Sequence, residues 1–323
     1  MQRIFPLTVM MSVDLKSRGK MRRSIFVIIN ATSGAGKRQD ELQQAMEILR
    51  NSNSEVDLTV SNTGKEVITA AKRAISKEAT VIVVGGGDGT VSSVAALLVG
   101  TDIHLGVLPL GTLNHFAKDT GIPTNIAEAA ALIISGEARA IDVGEVNGRY
   151  FINNASLGIY PRIARKRLNQ QSEFGWGKWT SFTHAALAVL FVYRLLKVRL
   201  RFGDEDISSR VPFLFVGNNQ YIMEGFRVGA RDRLDGGVLS LYFVRHSGRF
   251  RLFVLAFRAL VGRLSQAKDF ETRLVEELMV ESHRNSIHVG CDGEVCEMTP
   301  PLNFRTHPKS LWIISPPPTA NAV

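Results

Sequence analysis

Cysteine is nearly absent: the 323 residues contain only Cys291 and Cys296. Two cysteines exclude a disulfide framework and suit a reducing cytoplasm. With only His288 nearby and no second cysteine pair, they do not read as a zinc site. Long hydrophobic runs are missing too, since nothing approaches the roughly 18–20 apolar residues that cross a bilayer, so membrane contact is expected to be peripheral. The apolar patch at residues 4–11 is not followed by a small-residue cleavage site, which argues against a secretory signal, and Met21 is a second candidate start. Neither GxxxxGK(S/T) nor GxGxxG occurs, which removes the commonest phosphate-loop and dinucleotide fingerprints. Recognised nucleic-acid motifs and regular interleaving of aromatics with Lys and Arg are also missing. No nucleic acid is therefore expected as a partner, although the formal net charge is +9 and the pI near 9.8.

What is present is ordinary globular composition, 45% hydrophobic and 21% charged, enough for a sizeable core. The length is about twice that of a typical domain, which favours two domains. Residues 25–30 form an apolar strand-like run, followed by the loop ATSGAGK and a helix over 41–50. Residues 56–60 read as a second strand and 64–77 as a helix. The run VIVV at 81–84 reads as a strand buried on both faces that empties into glycines, with a helix over 91–99 and a further strand at 105–108. Alternating strands and helices imply a parallel sheet, so three glycine-containing loops leave one carboxyl edge, where ligands of such sheets bind. Glycines there leave backbone N–H groups open to a phosphate. Asp88 is out of place in an anion loop and calls for a metal–phosphate complex, a ribose hydroxyl or a neighbouring cation as its partner.

Beyond residue 140 the pattern turns to strands, at 141–145, 150–154, 198–202, 212–218, 238–243, 273–280 and 286–289, with turns at Asn147-Gly148 and Asp235-Gly236-Gly237. Helices over 184–197 and 250–264 are apolar with interspersed cations, and are either core elements with snorkelling cations or surfaces that rest on anionic lipid. Arg162, Arg165, Lys166 and Arg167 form a cationic cluster, and Trp176 and Trp179 sit in a glycine-flanked loop. Asp292 and Glu294 fall on a hairpin turn, and residues 311–315 make a last strand. Residues 1–22 thus read as a disordered extension, 23–140 as a doubly wound α/β nucleotide domain, 141–306 as a β-sandwich substrate domain, and 307–323 as a returning strand and disordered tail.

Four motifs, GGGDGT at 85–90, PLGTLNHFAKD at 109–119, LDGGVLSLYFV at 234–244 and VGCDGE at 289–294, resemble the diacylglycerol kinase catalytic-domain family. That family includes bacterial lipid kinases and the sphingosine and ceramide kinases, and is similar in fold to NAD kinases. The resemblance runs from about Arg23 to Ser315. It implies phosphoryl transfer from ATP with Mg²⁺ to a lipid hydroxyl, in a cleft between the two domains, by a protein held at the inner face of the cytoplasmic membrane through its anionic surface. By motif match, Asn30, Ser33 and Gly34, the loop Gly86, Gly87, Asp88, Gly89 and Thr90, and then Gly111, Thr112 and Asn114 hold the nucleotide. Asp292 matches the proposed general base and Glu294 its acidic neighbour, while Asp235 and Asp232 match a structural Mg²⁺ site.

Phosphoryl transfer asks mainly for positioning and charge neutralisation, which glycine-loop amides, Mg²⁺ and Lys37 or the 162–167 cluster supply, with a carboxylate to take the acceptor's proton. Two departures stand out. His115 replaces the Asp usual after Asn114, with Asp119 one helical turn later as a substitute, and no acid follows Gly158. Two alternatives remain open, a non-catalytic nucleotide- and lipid-binding module and a kinase of a soluble substrate such as NAD.

Overall fold

The computed structural model describes residues 23–33, 38–158, 195–222, 231, 233–244 and 270–317. In the first half, β1 (Ser24–Asn30), α1 (Gln39–Arg50), β2 (Glu55–Ser61), α2 (Gly64–Ser76), β3 (Val81–Gly86), α3 (Asp88–Leu98) and β4 (His104–Pro109) alternate as expected. They are followed by α4 (His115–Thr120) and α5 (Ile126–Ser135). The strands pair in parallel in the order β2-β1-β3-β4. From β1 to β2 the chain steps one way along the sheet, and from β2 to β3 and on to β4 the other. Right-handed crossovers therefore put α1 on one face and α2 and α3 on the opposite one. The contacts agree, α1 packing on α5 and α2 on α3. All six residues of β3 are buried, as a strand covered on both faces requires. The N-terminus of α2 is closed by a reciprocal cap, in which Thr63 Oγ1 accepts from Glu66 N–H at 3.2 Å and Glu66 Oε2 accepts from Asn62 N–H at 2.8 Å.

The second half supplies β5 (Glu137–Val146), β6 (Arg149–Phe151), β7 (Asn154–Gly158), β8 (Leu196–Phe202), β9 (Glu205–Val211) and β10 (Phe213–Asn218). It continues with β11 (Leu239–Val244), β12 (Phe270–Val275), β13 (Glu277–Glu281), β14 (Ile287–Cys291), β15 (Glu294–Met298) and β16 (Leu302–Ser315). One sheet, β12-β11-β10-β7-β14-β15, is antiparallel. It shares an apolar core with β5, β6, β8, β13 and β16, a core that includes Phe151, Leu200, Leu214, Leu241, Val289 and Phe304. This is the expected sandwich. Its other sheet is continuous with the parallel one, because β16 runs antiparallel to β5 along its length and meets β4 in parallel at Ile313–Leu105.

Several local expectations are corrected. Residues 150–154 are two strands, β6 and β7, because the amides of residues 152–154 turn to the Asp292 carboxylate. Residues 273–280 also divide, β12 joining one sheet and β13 the other. The helix expected from residue 91 starts at Asp88, after an extended Gly87, so Asp88, Gly89 and Thr90 form its first turn. Leu196 and Lys197, assigned to a helix, begin β8. The last strand starts at Leu302 instead of residue 311. The strands β9 and β15 and the helix α5 were not anticipated. The DG and NG turns are as read, with Asp292 and Gly293 at φ 48° and 89° and Asn147 and Gly148 at φ 46° and 83°. The 162–167 cluster, Trp176, Trp179, residues 184–194 of the expected 184–197 helix and the 250–264 helix lie outside the described residues. Among the described residues no helix is long and apolar enough to cross a membrane.

The two halves are pinned by Arg231, whose side chain is fully buried. Its guanidinium donates to Asp119 Oδ2 on α4 at 2.9 Å, to the carbonyls of Ile152 and Asn218 at 2.7 and 3.1 Å, and to Asn153 Oδ1 at 2.9 Å. It also lies 5.3 Å from the centre of the Tyr221 ring. Burial pushes the Asp119 carboxyl above the usual carboxylate range, and Arg231 opposes that shift. Arg231→Met is therefore expected to cost about 3–5 kcal/mol of stability in urea unfolding at neutral pH, since it leaves a buried carboxylate uncompensated. A carboxyl whose folded-state pKa is raised contributes most below its unfolded pKa and loses that contribution as pH rises through the folded one. The deficit of the variant should thus shrink as the pH is lowered and Asp119 takes up its proton.

Candidate active site

The site is assembled where β1, β3 and β4 end. At the end of β1, Asn30 is buried, and its Nδ2 donates to Thr90 Oγ1 at 2.9 Å while its Oδ1 accepts from the Thr32 amide and hydroxyl at 3.1 and 2.7 Å. Ser33 Oγ lies 3.4 Å from the same Thr90 hydroxyl. Three residues selected from the sequence, Asn30, Ser33 and Thr90, therefore meet at one point, and Gly34 lies outside the described residues. The next contact is made by glycine backbones. A Cβ on Gly111 would stand 2.6 Å from the Gly87 Cα and 2.8 Å from Asn114 Oδ1, so the loops after β3 and β4 approach this closely because residue 111 is glycine, whereas a Cβ on Gly87 would meet the Gly111 Cα at an ordinary 3.5 Å. Likewise a Cβ on Gly86 would stand 2.6 Å from Thr90 Cβ. Asn114 takes the left-handed conformation at φ 49° and closes its own loop, Nδ2 donating to the Gly111 carbonyl at 2.8 Å. Thr112 is exposed beside it.

Asp88 has a partner that the sequence reading did not name: its Oδ1 accepts from Phe116 N–H, in the first turn of α4, at 3.1 Å. A carboxylate at the amino end of a helix is favoured both by the free amide and by the helix dipole. His115 is exposed beside it. Asp119 does not substitute for the acid missing at residue 115, because its carboxylate is bound to the buried Arg231. From the other side, Arg38 Nη1 donates to the Pro109 carbonyl at 3.1 Å and ties the start of α1 to the loop after β4.

Asp292 comes across from the β14–β15 turn. Its Oδ1 accepts from the amides of Asn153 and Asn154 at 2.9 and 3.0 Å, and its Oδ2 from the amide of Ile152 at 2.8 Å and from the hydroxyl of Ser92. Burial pushes its carboxyl above the usual range, and these four hydrogen bonds pull the other way. Ser92 follows Asp88 by one helical turn on α3, so one helix face carries the nucleotide-loop acid and the contact to the hairpin acid. Asp292 and Ser92 line a cavity of about 280 Å³ together with Gly89, Ser93, Arg149 and Tyr150. Glu294 lines it as well, its Oε2 held by Arg149 Nη2 at 2.6 Å.

Asp235 stands apart from this cluster. It is ion-paired with Arg233 at 3.2 Å, and Asp232 lies outside the described residues. Among the described residues no three His, Cys, Asp or Glu side chains are placed to hold a metal ion. Mg²⁺ in nucleotide sites commonly takes only one or two carboxylates together with substrate phosphates, so a cage of three such side chains is not what it requires. Cys291 and Cys296 are free. Sequence reasoning missed Ser92, Arg149 and Arg231. The helical spacing from Asp88 pointed to Ser92, whereas nothing local pointed to Arg231.

Comparison with known proteins places this geometry. Residues 24–146 match the diacylglycerol kinase catalytic domain, and residues 157–315 the YegS C-terminal NAD kinase beta sandwich-like domain. A diacylglycerol kinase of Staphylococcus aureus is 34% identical over 230 residues, which cover 70% of this chain and 72% of that protein. A diacylglycerol kinase of Mycobacterium tuberculosis is 27% identical over 93% of this chain and 99% of its own length. The match to the diacylglycerol kinase of Bacillus subtilis is 39% identical but spans only 41% of this chain and 45% of that protein. A crystal structure of a diacylglycerol kinase from Bacillus anthracis superposes with a TM-score of 0.68 at 20% identity, covering 91% of this chain and 97% of the other, which speaks for the fold. With both of its halves matched in order and the glycine loops meeting as the motifs require, the chain belongs to the diacylglycerol kinase catalytic-domain family.

Proposed function

We propose that the chain transfers the γ-phosphoryl group of Mg-ATP to a hydroxyl of diacylglycerol or a related membrane lipid. The observation that carries this reading is the placement of Asp292: a carboxylate from one domain stands over the first turns of α3, whose opening residues belong to the glycine loops of the other. In the proposed reaction the amides of 86–90 and 111–114, with Asn30 and Ser33, grip the nucleotide phosphates. Mg²⁺ carried by those phosphates would supply neutralisation of their charge. Asp292 takes the proton of the acceptor hydroxyl. Its environment suits a base, because desolvation keeps its proton affinity above that of an exposed carboxyl while the amides fix its direction.

The acceptor is taken from a membrane surface. The net charge of +9 favours an anionic bilayer, and on this reading the protein works at the inner face of the cytoplasmic membrane without crossing it. A second reading is favoured by His115, which stands where the family has an acid: a nucleotide- and lipid-binding module without transfer.

Labelled γ-phosphate transfer from Mg-ATP to mixed lipid vesicles, with products identified by mass, separates the two. The kinase reading expects a phosphorylated lipid, and the binding-module reading expects none until His115→Asp restores the acid. Asp292→Asn should lower kcat about 10²–10⁴-fold with little change in KM for ATP. In the natural sequence activity should fall as the pH drops through a limb above the ordinary carboxylate range, because the base works only when deprotonated and burial raises its pKa. That limb should vanish from the residual activity of the variant. Co-sedimentation with anionic vesicles is expected at low salt and should weaken as the ionic strength approaches about 1 M, where the screening length falls to about 3 Å. Vesicle binding indifferent to both lipid charge and salt would overturn the electrostatic part of the reading.

A further inference from the structure

The acceptor directions of Asp292 are already taken. A carboxylate offers about four lone-pair directions, and here three are filled by the amides of Ile152, Asn153 and Asn154 and one by the Ser92 hydroxyl. Ile152 and Asn153 form the link between β6 and β7 and Asn154 opens β7, and the link is also held by Arg231 through the Ile152 carbonyl and the Asn153 side chain. The three amides cannot leave without dismantling that link. The fourth donor is different in kind: a side chain from the opposite domain, on a helix that begins in the nucleotide loop. Its neighbour Ser93 shows what a serine on α3 does by default, its hydroxyl donating back to the Gly89 carbonyl at 2.8 Å. Ser92 spends its only proton on Asp292 instead, and is itself buried. Both residues line the cavity of about 280 Å³ between the domains, so an alcohol entering there meets an oxygen whose hydrogen already points at the base.

Resting on the lipid-kinase reading, we propose that Ser92 is a catalytic proton relay between the acceptor hydroxyl and Asp292, so that the base of this enzyme is a serine–aspartate pair spanning the domain seam. In the step, the acceptor oxygen forms its bond to the γ-phosphorus while the bond from that phosphorus to the bridging oxygen of ADP breaks, the electron pair leaving with ADP. The acceptor's proton moves to Ser92 Oγ as the Ser92 proton moves to Asp292 Oδ2. Asp292 ends protonated and returns its proton through Ser92 to water once the product has left. The competing arrangement, in which Ser92 only fills the place of the acceptor and is displaced by it, makes the opposite prediction for its removal.

The experiment is single-turnover phosphorylation of diacylglycerol in mixed vesicles with Mg-ATP, in H2O, D2O and their mixtures, for the natural sequence, Ser92→Ala and Ser92→Thr. A relay expects Ser92→Ala to slow the transfer step about 10²-fold, the lower end of what positioned proton transfer contributes, with KM for lipid and ATP within about twofold. Ser92→Thr, which keeps the hydroxyl, should recover most of the rate. The natural sequence should show a curved dependence on deuterium fraction, because two protons move together, and the alanine variant a straight one. Transfer by Ser92→Ala at or above the natural rate overturns the relay and leaves the kinase reading standing. A straight deuterium dependence in the natural sequence overturns it too, and holds even if the alanine variant does not fold. A natural sequence that phosphorylates no lipid overturns both.

Discussion

The desolvation of one carboxylate organises the centre of this molecule. A buried acid has to be surrounded by donors or it drives its own site apart, and the donors of Asp292 come from two places that are far apart in sequence. Three consecutive amides are released to it only because the chain breaks its ladder between β6 and β7. The fourth donor, Ser92, requires α3 to lie against the β14–β15 hairpin. Satisfying one side chain therefore fixes a strand break, a hairpin position and a domain contact together. Arg231 supports the same link and carries it on to α4, whose first turn is capped by Asp88. Donor loop and hairpin acid are thus parts of a single hydrogen-bonded unit.

Much of the fold was legible because the parallel strands are covered on both faces. Runs such as SIFVII and VIVV are short, rich in β-branched residues and followed by turn residues, which marks them as buried strands ending in loops. The convergence of Asn30, Gly87, Thr90, Gly111 and Asn114 follows from strand order alone, since parallel neighbours discharge their loops on one edge. Asp292 was legible through its DG turn, whose left-handed pair of residues is present as expected.

The remainder depended on partners distant in the chain. The break at residues 152 and 153 cannot be read locally, because its cause lies about 140 residues away in Asp292. Asp119 looked free to replace the acid missing at residue 115, and only a buried arginine 112 residues on shows that it is not. The strand β9, with its pattern of Glu, Asp, Ser and Arg, has little periodicity of its own and forms as the far edge of its sheet, paired in full register to β8. Glu294, a site acid by motif, is held by Arg149 of β6, a pairing between residues 145 apart.

The long last strand carries one more consequence. Its final residues lie against β4 and β5, beyond the end of the span matched as a catalytic domain. A chain cut after that span would keep its glycine loops yet lose the strand that covers the flank of β4, exposing a row of unpaired amides and carbonyls open to any extended segment that passes. The α/β half is therefore not a portable module. It becomes a finished sheet only when the last residues of the described structure have been threaded back into it, so the nucleotide half and the sandwich half must mature as one object.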